Sequence, residues 1–546
     1  MVNSGLMDRL LLSNFRLQLA SFAVSATFVV LLCFLFELRW ETNDDIAMSM
    51  VAHGYGIASI GSPNIVFSNV VWGYLVRLLP EINGILGYSL ATLGTLIVVS
   101  TVIVYGLCRL GVGYVVSFSV LVLILTRPVL VPQFTINAGL LMVAAILCWI
   151  LFVQKNDKQA LVMGCILAFC SFLVRSDEFY LVLIIASPVL PWRALWLHHS
   201  SKIAFFALIL AIAGSAIINH QAYQGPEWKD YNELNPARKP ITDFGFDRHL
   251  KQHPEILQEY GYSPNDIGLI RSWFFIDPAI ANPIILKEMI DKLGFMPNEK
   301  KALANAWIAL SVLYNFKLLP LILAAFLLAL LRPSWKIAAS WGLCIAAIVG
   351  IGILGRPGVL RIQIPLFSFL LIAPLFEGKI TGWRRLIQSG IIFVAAAVNF
   401  DTVCAESKWH QPRAEKMRFQ FAGFPNSPIV VWGAALPYEA LFPVIRTSGS
   451  MAYSQIYGLG CFTLAPFSIH STEKQAGRSA IDLLLRGNDL LVIANEIAFN
   501  QFNIYAKERL HGKLNVVSVQ RYGKTPVRRV RFEKENDIQH KEALIK

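Results

Sequence analysis

The chain is 546 residues long, 55% hydrophobic and only 15% charged, with a mean hydropathy of +0.54. A water-soluble domain carries about 25% charged residues, so the composition excludes a soluble enzyme and defines a polytopic α-helical membrane protein. The formal net charge of +13 comes with no nucleic-acid motif; it reads as loop charge that sets topology and meets lipid headgroups, with no nucleic-acid partner.

The first apolar run, from Leu17 to Phe36, is long enough to cross a bilayer. It lacks the small-residue cleavage signal of a signal peptide and reads as a retained helix. Similar runs at 84–107, 112–126, 135–153, 159–174, 178–195, 203–219, 314–331, 337–354, 359–376 and 385–400 bring the expectation to about 11 transmembrane helices. With the N-terminus inside, alternation places Arg9, Arg16, Arg109, Lys155, Lys158, Arg193, Lys202, Arg332, Lys336, Lys379, Arg384 and Arg385 in the cytoplasm. The opposite short loops hold fewer basic residues. That asymmetry, with an odd number of spans, predicts that the C-terminus and the loop at Glu41–Asp45 are extracytoplasmic.

Three sizeable segments then lie outside. In the first, 37–83, the stretch Asp44–His53 predicts a short helix, with Asn43 as cap and two carboxylates at its positive end. Val66–Leu79 reads as an interfacial helix or a short dip into the membrane. The second, 220–313, is too long and too patterned for a linker, with helices expected over Asp247–Tyr260 and 281–293. The third, 401–546, is expected to be a soluble α/β domain, following a transmembrane domain at 1–400. Its strands are expected at Pro428–Leu436, Asp489–Asn495, Leu514–Gln520 and Val527–Phe532, and its helices at Ser479–Leu485 and Glu496–Leu510. The polar tail after Glu533 is expected to fray. Of eight cysteines, six sit in or beside apolar runs; only Cys404 and Cys461 lie in the hydrophilic C-terminal part, where an oxidising compartment would allow them to pair.

Charge at the mouth of a membrane protein is costly and usually functional. The acidic pair Asp44-Asp45, just beyond the first span, therefore leads the candidates. Asp45 is expected to be a general base that takes a proton from a hydroxyl, with Asp44 as orienter or as ligand of a divalent cation. Arg175-Ser176-Asp177-Glu178 closes the fifth span and offers a polar wall, or a turn with its own ion pair. Arg356 and Arg361, with Gln363, run against the positive-inside tendency; a phosphate would explain two outer arginines, as would snorkelling to headgroups. Gln133, Thr135 and Asn137 could bond a sugar, although capping the fourth span is the better account. His53 and His249 are weak metal candidates, and no Cys/His metal spacing occurs.

Together, Thr42-Asn43-Asp44-Asp45, Gly54-Tyr55, Pro63-Asn64, Asn69 and Gly73, followed by Arg356 and Arg361 on a later outer loop, resemble the GT-C superfamily of membrane glycosyltransferases. The pattern looks especially like uncharacterised bacterial members found with surface-polysaccharide genes, and it covers about residues 1–400. The resemblance implies an enzyme that moves a sugar from a polyprenyl-phosphate donor to a glycan, lipid or protein acceptor on the outer face. By that resemblance Asp44 and Asp45 supply the acidic pair and Arg356 and Arg361 the cations for the lipid phosphate, in a bacterial inner (plasma) membrane with the active site extracytoplasmic; with the residues read above, the candidate site comprises Asp45, Asp44, Arg361, Arg356, Arg175, Glu178, Gln363 and Asn137. One departure is that 126–137 holds no acidic residue, so a metal completed from that loop is in doubt; Asp177 or Glu178 could substitute.

A polyprenyl phosphate leaves once its charge is neutralised, which arginines can do. A base on the opposite face of the sugar then implies inversion at the anomeric carbon. Two other functions remain open. A lipid-linked glycan polymerase shares most of these features. A lipid-linked glycan flippase or transporter would instead place binding residues at mid-membrane on broken helices.

Overall fold

The computed structural model describes residues 4–294, 299–377, 380–425, 428–445 and 454–534. The chain enters through α1 (Ser4–Leu35) and then two short outer helices, α2 (Asn43–His53) and α3 (Val70–Leu78). It continues through α4 (Gly87–Arg109), α5 (Tyr114–Leu130), α6 (Phe134–Lys155), α7 (Lys158–Val174), α8 (Ser176–Ala186), α9 (Trp192–Leu197) and α10 (His199–Ala222). Five helices follow outside the bundle: α11 (Lys229–Phe244), α12 (Phe246–Gln252), α13 (Pro254–Glu259), α14 (Pro264–Arg271) and α15 (Pro283–Leu293). The bundle resumes with α16 (Glu299–Leu310), α17 (Leu319–Leu331), α18 (Trp335–Ile353), α19 (Leu360–Ile372) and α20 (Trp383–Gln420).

Every expected span falls on helix, yet among the described residues only six helices are long and apolar enough to cross a membrane unaided. A seventh crossing exists if the pair 302–314 and 319–331, bent by 84°, counts as one. Three more apolar helices, Tyr114–Leu130, Lys158–Val174 and Leu360–Phe376, are shorter. The expected span 178–195 is not one helix: α8 stops at Ala186, and a turn leads to α9. The protein is multi-pass, and α6 is its axis, with 94% of its apolar window buried. Gln133 caps α6, its Oε1 accepting from the Thr135 and Ile136 amides at 2.6 and 3.1 Å. The capping account of Gln133 therefore holds.

The outer part has one shared core. Strands β1 (Ile429–Trp432), β2 (Ile456–Leu459), β3 (Leu490–Ile493), β4 (Gly512–Tyr522) and β5 (Thr525–Lys534) form a sheet of order β2-β1-β3-β5-β4. β1 is parallel to β2 and β3, while β5 is antiparallel to β3 and β4. Successive side chains of a strand point to opposite faces. Val430 and Trp432 accordingly pack with α11, α14 and α15, while Ile429 and Val431 join the core of the bundle. The segment 220–313 and the C-terminal segment thus build one lobe from two separated stretches.

Four features stand differently from the sequence reading or were left open by it. Thr42, not Asn43, is the residue before α2, in extended conformation. Asp247–Tyr260 is two helices, because Pro254 has no amide to continue α12 and starts α13 instead. α20 carries helix unbroken across residue 400, so the expected boundary falls inside an element. Cys404 and Cys461 are both free thiols. The strand β2 had not been anticipated, and residues 535–546 of the polar tail lie outside the described residues.

Candidate active site

The residues Glu37–Glu41 leave α1 in extended conformation, and Thr42 delivers the chain into α2. α2 ends at Gly54, whose φ of +74° is left-handed; a Cβ there would come within 2.9 Å of the Ile60 carbonyl carbon. Consecutive residues on a helix point about 100° apart, so Asp44 and Asp45 must face different surroundings.

The two aspartates face the reverse of the expected way. Asp45 is fully buried. Its Oδ1 accepts from the Tyr88 hydroxyl and the Phe134 amide, each at 3.0 Å, and its Oδ2 accepts from the Thr42 hydroxyl at 3.1 Å. Burial, reinforced by Asp44, raises its pKa to about 7, against the opposing pull of the hydrogen bonds from Phe134, Tyr88 and Thr42. Buried and hydrogen-bonded through both oxygens, Asp45 ties α2 to α4 and α6.

Asp44 is the accessible carboxylate. Its side chain is 34% exposed and accepts from Arg361 Nη1 at 3.1 Å, the arginine being 28% exposed. The sequence separation of 317 residues closes here: the first outer helix meets the start of α19. Arg356, on the loop before α19, pairs with Asp243 at the end of α11, at 3.3 Å. Asp243 also faces Arg238, whose guanidinium lies 4.4 Å from the centroid of the Trp273 ring. The Cys461 thiol is held above its ordinary value first by burial and next by Asp44, with Arg238 opposing and Asp243 adding. Asp243 and Arg238 of the lobe thus meet Arg356 on the loop that leads into α19, the helix that carries Arg361.

The remaining candidates line the neighbouring helices. Arg175 pairs with Asp177 at 3.0 Å, donates to the Phe67 carbonyl at 3.3 Å and lies 5.7 Å from the Phe134 ring centroid. Both accounts of this stretch thus have support: a turn with its own ion pair, placed against the residue whose amide holds Asp45. Asn137, Glu178 and Gln363 are all buried, and each has one side-chain oxygen with no hydrogen-bond partner among the described residues. Glu178 and α19 meet at Gly139, where a Cβ would sit 2.4 Å from Pro365 and 3.0 Å from Glu178 Cγ.

Among the described residues no group of three or more His, Cys, Asp or Glu side chains is placed to hold a metal. Both oxygens of Asp45 are occupied, and Asp44 meets a guanidinium. His53 is not a ligand either: its Nε2 accepts from the Tyr88 amide at 3.1 Å. Burial and then Arg77 lower its pKa.

Tyr88, Asp243 and Arg238 had not been singled out in the sequence, where each is an ordinary helix residue. A belt of ion pairs was missed as well, with Glu406 on α20 accepting from Arg39, Arg127 and Lys317 at 2.7, 2.9 and 2.9 Å.

The fold is that of a multi-pass membrane protein with an α/β lobe at one end of its helices, and the Asp44–Arg361 pair lies beside that lobe. In structure the chain is similar to ArnT from Cupriavidus metallidurans in the apo state, with 13% identity and a TM-score of 0.38, covering 93% of this chain and 97% of that one. It is likewise similar to ArnT from the same organism bound to undecaprenyl phosphate, with 12% identity and a TM-score of 0.36, covering 97% and 98%. No family model and no curated protein matches the sequence.

Proposed function

We propose that the protein is a GT-C-type inverting glycosyltransferase. In this reading it moves a sugar from a polyprenyl-phosphate donor to an acceptor hydroxyl at the face bearing the lobe. The observation that carries this reading is the accessible Asp44–Arg361 pair: a base and a phosphate ligand, brought together from opposite ends of the membrane part. Arg361 turns its fork from Asp44 to the donor phosphate, and Arg356 adds a second cation. Asp44, released from that contact, takes the proton of the acceptor hydroxyl. The acceptor oxygen attacks the anomeric carbon as the carbon–oxygen bond to phosphate breaks. The electron pair leaves with the phosphate, whose growing charge the arginines neutralise. Asn137, Glu178 and Gln363 hold acceptor oxygens that sugar hydroxyls can satisfy.

The flippase reading places binding residues at mid-membrane, whereas Asp44 and Arg361 stand at helix ends next to the lobe. The polymerase reading differs only in the acceptor, another lipid-linked glycan. The test is transfer by the purified protein from a polyprenyl-phosphate hexose or pentose, with the anomeric configuration of the product read by NMR. Inverted product supports the reading. Retained configuration, or donor movement across the bilayer without transfer, overturns it.

A further inference from the structure

A cavity of about 480 Å³ lies between α1, α4, α6 and α7, within the roughly 300–1,000 Å³ range of small-molecule sites. Its walls include Leu19 and Phe22 of α1, Leu147 of α6 and Met163 of α7. The α1 side opens to the lipid, since Leu19 and Phe22 are more than half exposed. It is not the Asp44–Arg361 centre. Phe15, which also lines it, precedes the end of α1 by 20 residues, about 30 Å of helix and one bilayer thickness.

The mouth is polar and carries both signs of charge. Asp157 lines it together with Tyr105. Asp157 Oδ1 caps α7, accepting from the Gln159 and Ala160 amides at 3.1 Å. Oδ2 faces Arg109 Nη2 at 3.8 Å, the long limit of an ion pair, and the Tyr105 hydroxyl also reaches the Asp157 carboxylate. Arg109 also donates to the Tyr105 hydroxyl at 3.4 Å. An apolar cavity open to lipid, with a loose cation–anion pair at its end, complements a molecule with an apolar chain and a zwitterionic head.

We propose that this cavity is a binding site for one zwitterionic phospholipid of the leaflet opposite the Asp44–Arg361 centre. One acyl chain fills the cavity between α1 and α7, the phosphate meets Arg109, and the ammonium meets Asp157 Oδ2. An anionic lipid without the ammonium would leave that oxygen facing negative charge, so the site discriminates by head group.

The test is photo-crosslinking of the full-length protein in nanodiscs, using phosphatidylethanolamine with a diazirine in its acyl chain and mapping the adducts by peptide mass spectrometry. Adducts should concentrate on Leu19, Phe22 and Met163 and be competed by unlabelled phosphatidylethanolamine. Arg109→Gln and Asp157→Asn should each cut them by about ten-fold, the loss of one charge-assisted contact. Asn caps a helix as well as Asp does, so Asp157→Asn keeps the test alive if Arg109→Gln fails to fold. Leu19→Trp, which fills the open side, should lower adducts at Phe22 and Met163. Equal labelling by a phosphatidylglycerol probe, labelling of the same residues by a diazirine-bearing polyprenyl phosphate, or adducts spread evenly over the lipid-facing helices would each overturn the proposal.

Discussion

Exchanging each member of the acidic pair for its amide separates chemistry from architecture. Asp44→Asn keeps the shape of an accessible side chain and removes its basicity. Its contact with Arg361 is part-exposed, so the pair contributes about 0–1 kcal/mol and folding should barely change. Turnover should fall by about 10² to 10⁴, the range for loss of a general base. Asp45→Asn should do the opposite. An amide can accept from Tyr88 and Phe134 with its oxygen and donate to Thr42 with its nitrogen, so the geometry survives. What disappears is a titration. The folded carboxyl holds its proton up to about pH 7, while the unfolded one loses it near 3.8. Wild-type stability contributed by this group is therefore lost as pH rises from about 4 to about 7, and it is flat above that. The difference amounts to about 4 kcal/mol at 1.36 kcal/mol per pH unit. The assay is thermal unfolding of both proteins from pH 4 to 8 beside glycosyl transfer at each pH. Wild type should lose stability relative to Asp45→Asn across that window, while Asp45→Asn retains transfer. Parallel unfolding profiles would refute the buried-carboxyl account. A dead Asp45→Asn beside an active Asp44→Asn would return the base to Asp45.

Other outcomes follow from single side chains. Arg361→Ala should reduce transfer by about 10- to 100-fold, one charge-assisted contact to phosphate, and Arg361→Lys should keep part of it; equal rates for all three proteins would remove the phosphate role. In a cysteine-free background, Ile60→Cys and Asn488→Cys should react with an impermeant maleimide from the same side of intact spheroplasts, and Lys158→Cys only after lysis; a split between the first two would reject the topology. His470 is buried, both its ring nitrogens lack a partner among the described residues, and burial followed by Lys474 lowers its pKa to about 4. The unfolded imidazole gains its proton near 6.5, so stability falls as pH drops from about 6.5 to about 4, by about 3 kcal/mol. His470→Phe should abolish that acid loss at unchanged fold, measured as unfolding temperature against pH; an undiminished loss would rule His470 out as its source.

Long apolar runs and punctuated amphipathic stretches made much of this fold legible in the sequence. A span is announced by length, so α4, α6 and α10 coincide with expected runs. Strands β1, β3, β4 and β5 were legible because β-branched runs stand between turn residues. β2 was missed because Ile456–Leu459 is four residues long and includes a glycine. The site was only half legible. Two carboxylates in a row declare a function but not which one faces it, since that depends on what lies against each side of α2. Tyr88 and the Phe134 amide take Asp45 inward, and neither is near it in sequence. The partnership of Asp44 with Arg361 spans 317 residues and leaves no local trace. The lobe was read as two separate pieces because hydrophobic faces in sequence carry no address for their partners.

The non-helical segment before α2 explains how so accessible a carboxylate as Asp44 can be held in place. Residues alternate sides in extended chain, and Glu37-Leu38-Arg39-Trp40-Glu41 alternates charge with apolar bulk. Leu38 and Trp40 are buried in the core of the bundle. On the other side, Glu37 receives both terminal nitrogens of Arg418 at 2.7 Å, Arg39 donates to Glu406 at 2.7 Å, and Glu41 pairs with Arg127 at 3.2 Å. The backbone is fixed as well, with the Arg39 and Glu41 amides donating to the Leu130 and Pro132 carbonyls at 3.2 Å. Each such pair alone is worth little at a surface. Here Arg127 joins Glu41 to Glu406 with its side chain almost wholly buried, and Glu406 gathers three cations, so the pairs act as a network tying α5, the turn at Lys317 before α17, and α20 to one stretch of chain. The next residues are Thr42 and Asn43, then Asp44. With the strand held from behind and Asp45 locked one residue ahead, Asp44 keeps its carboxylate beside Arg361 although a third of its surface meets solvent. In the proposed reaction the Asp44–Arg361 contact opens to admit the sugar, and a backbone held in this way keeps the Asp44 carboxylate at the site while the arginine turns to the phosphate.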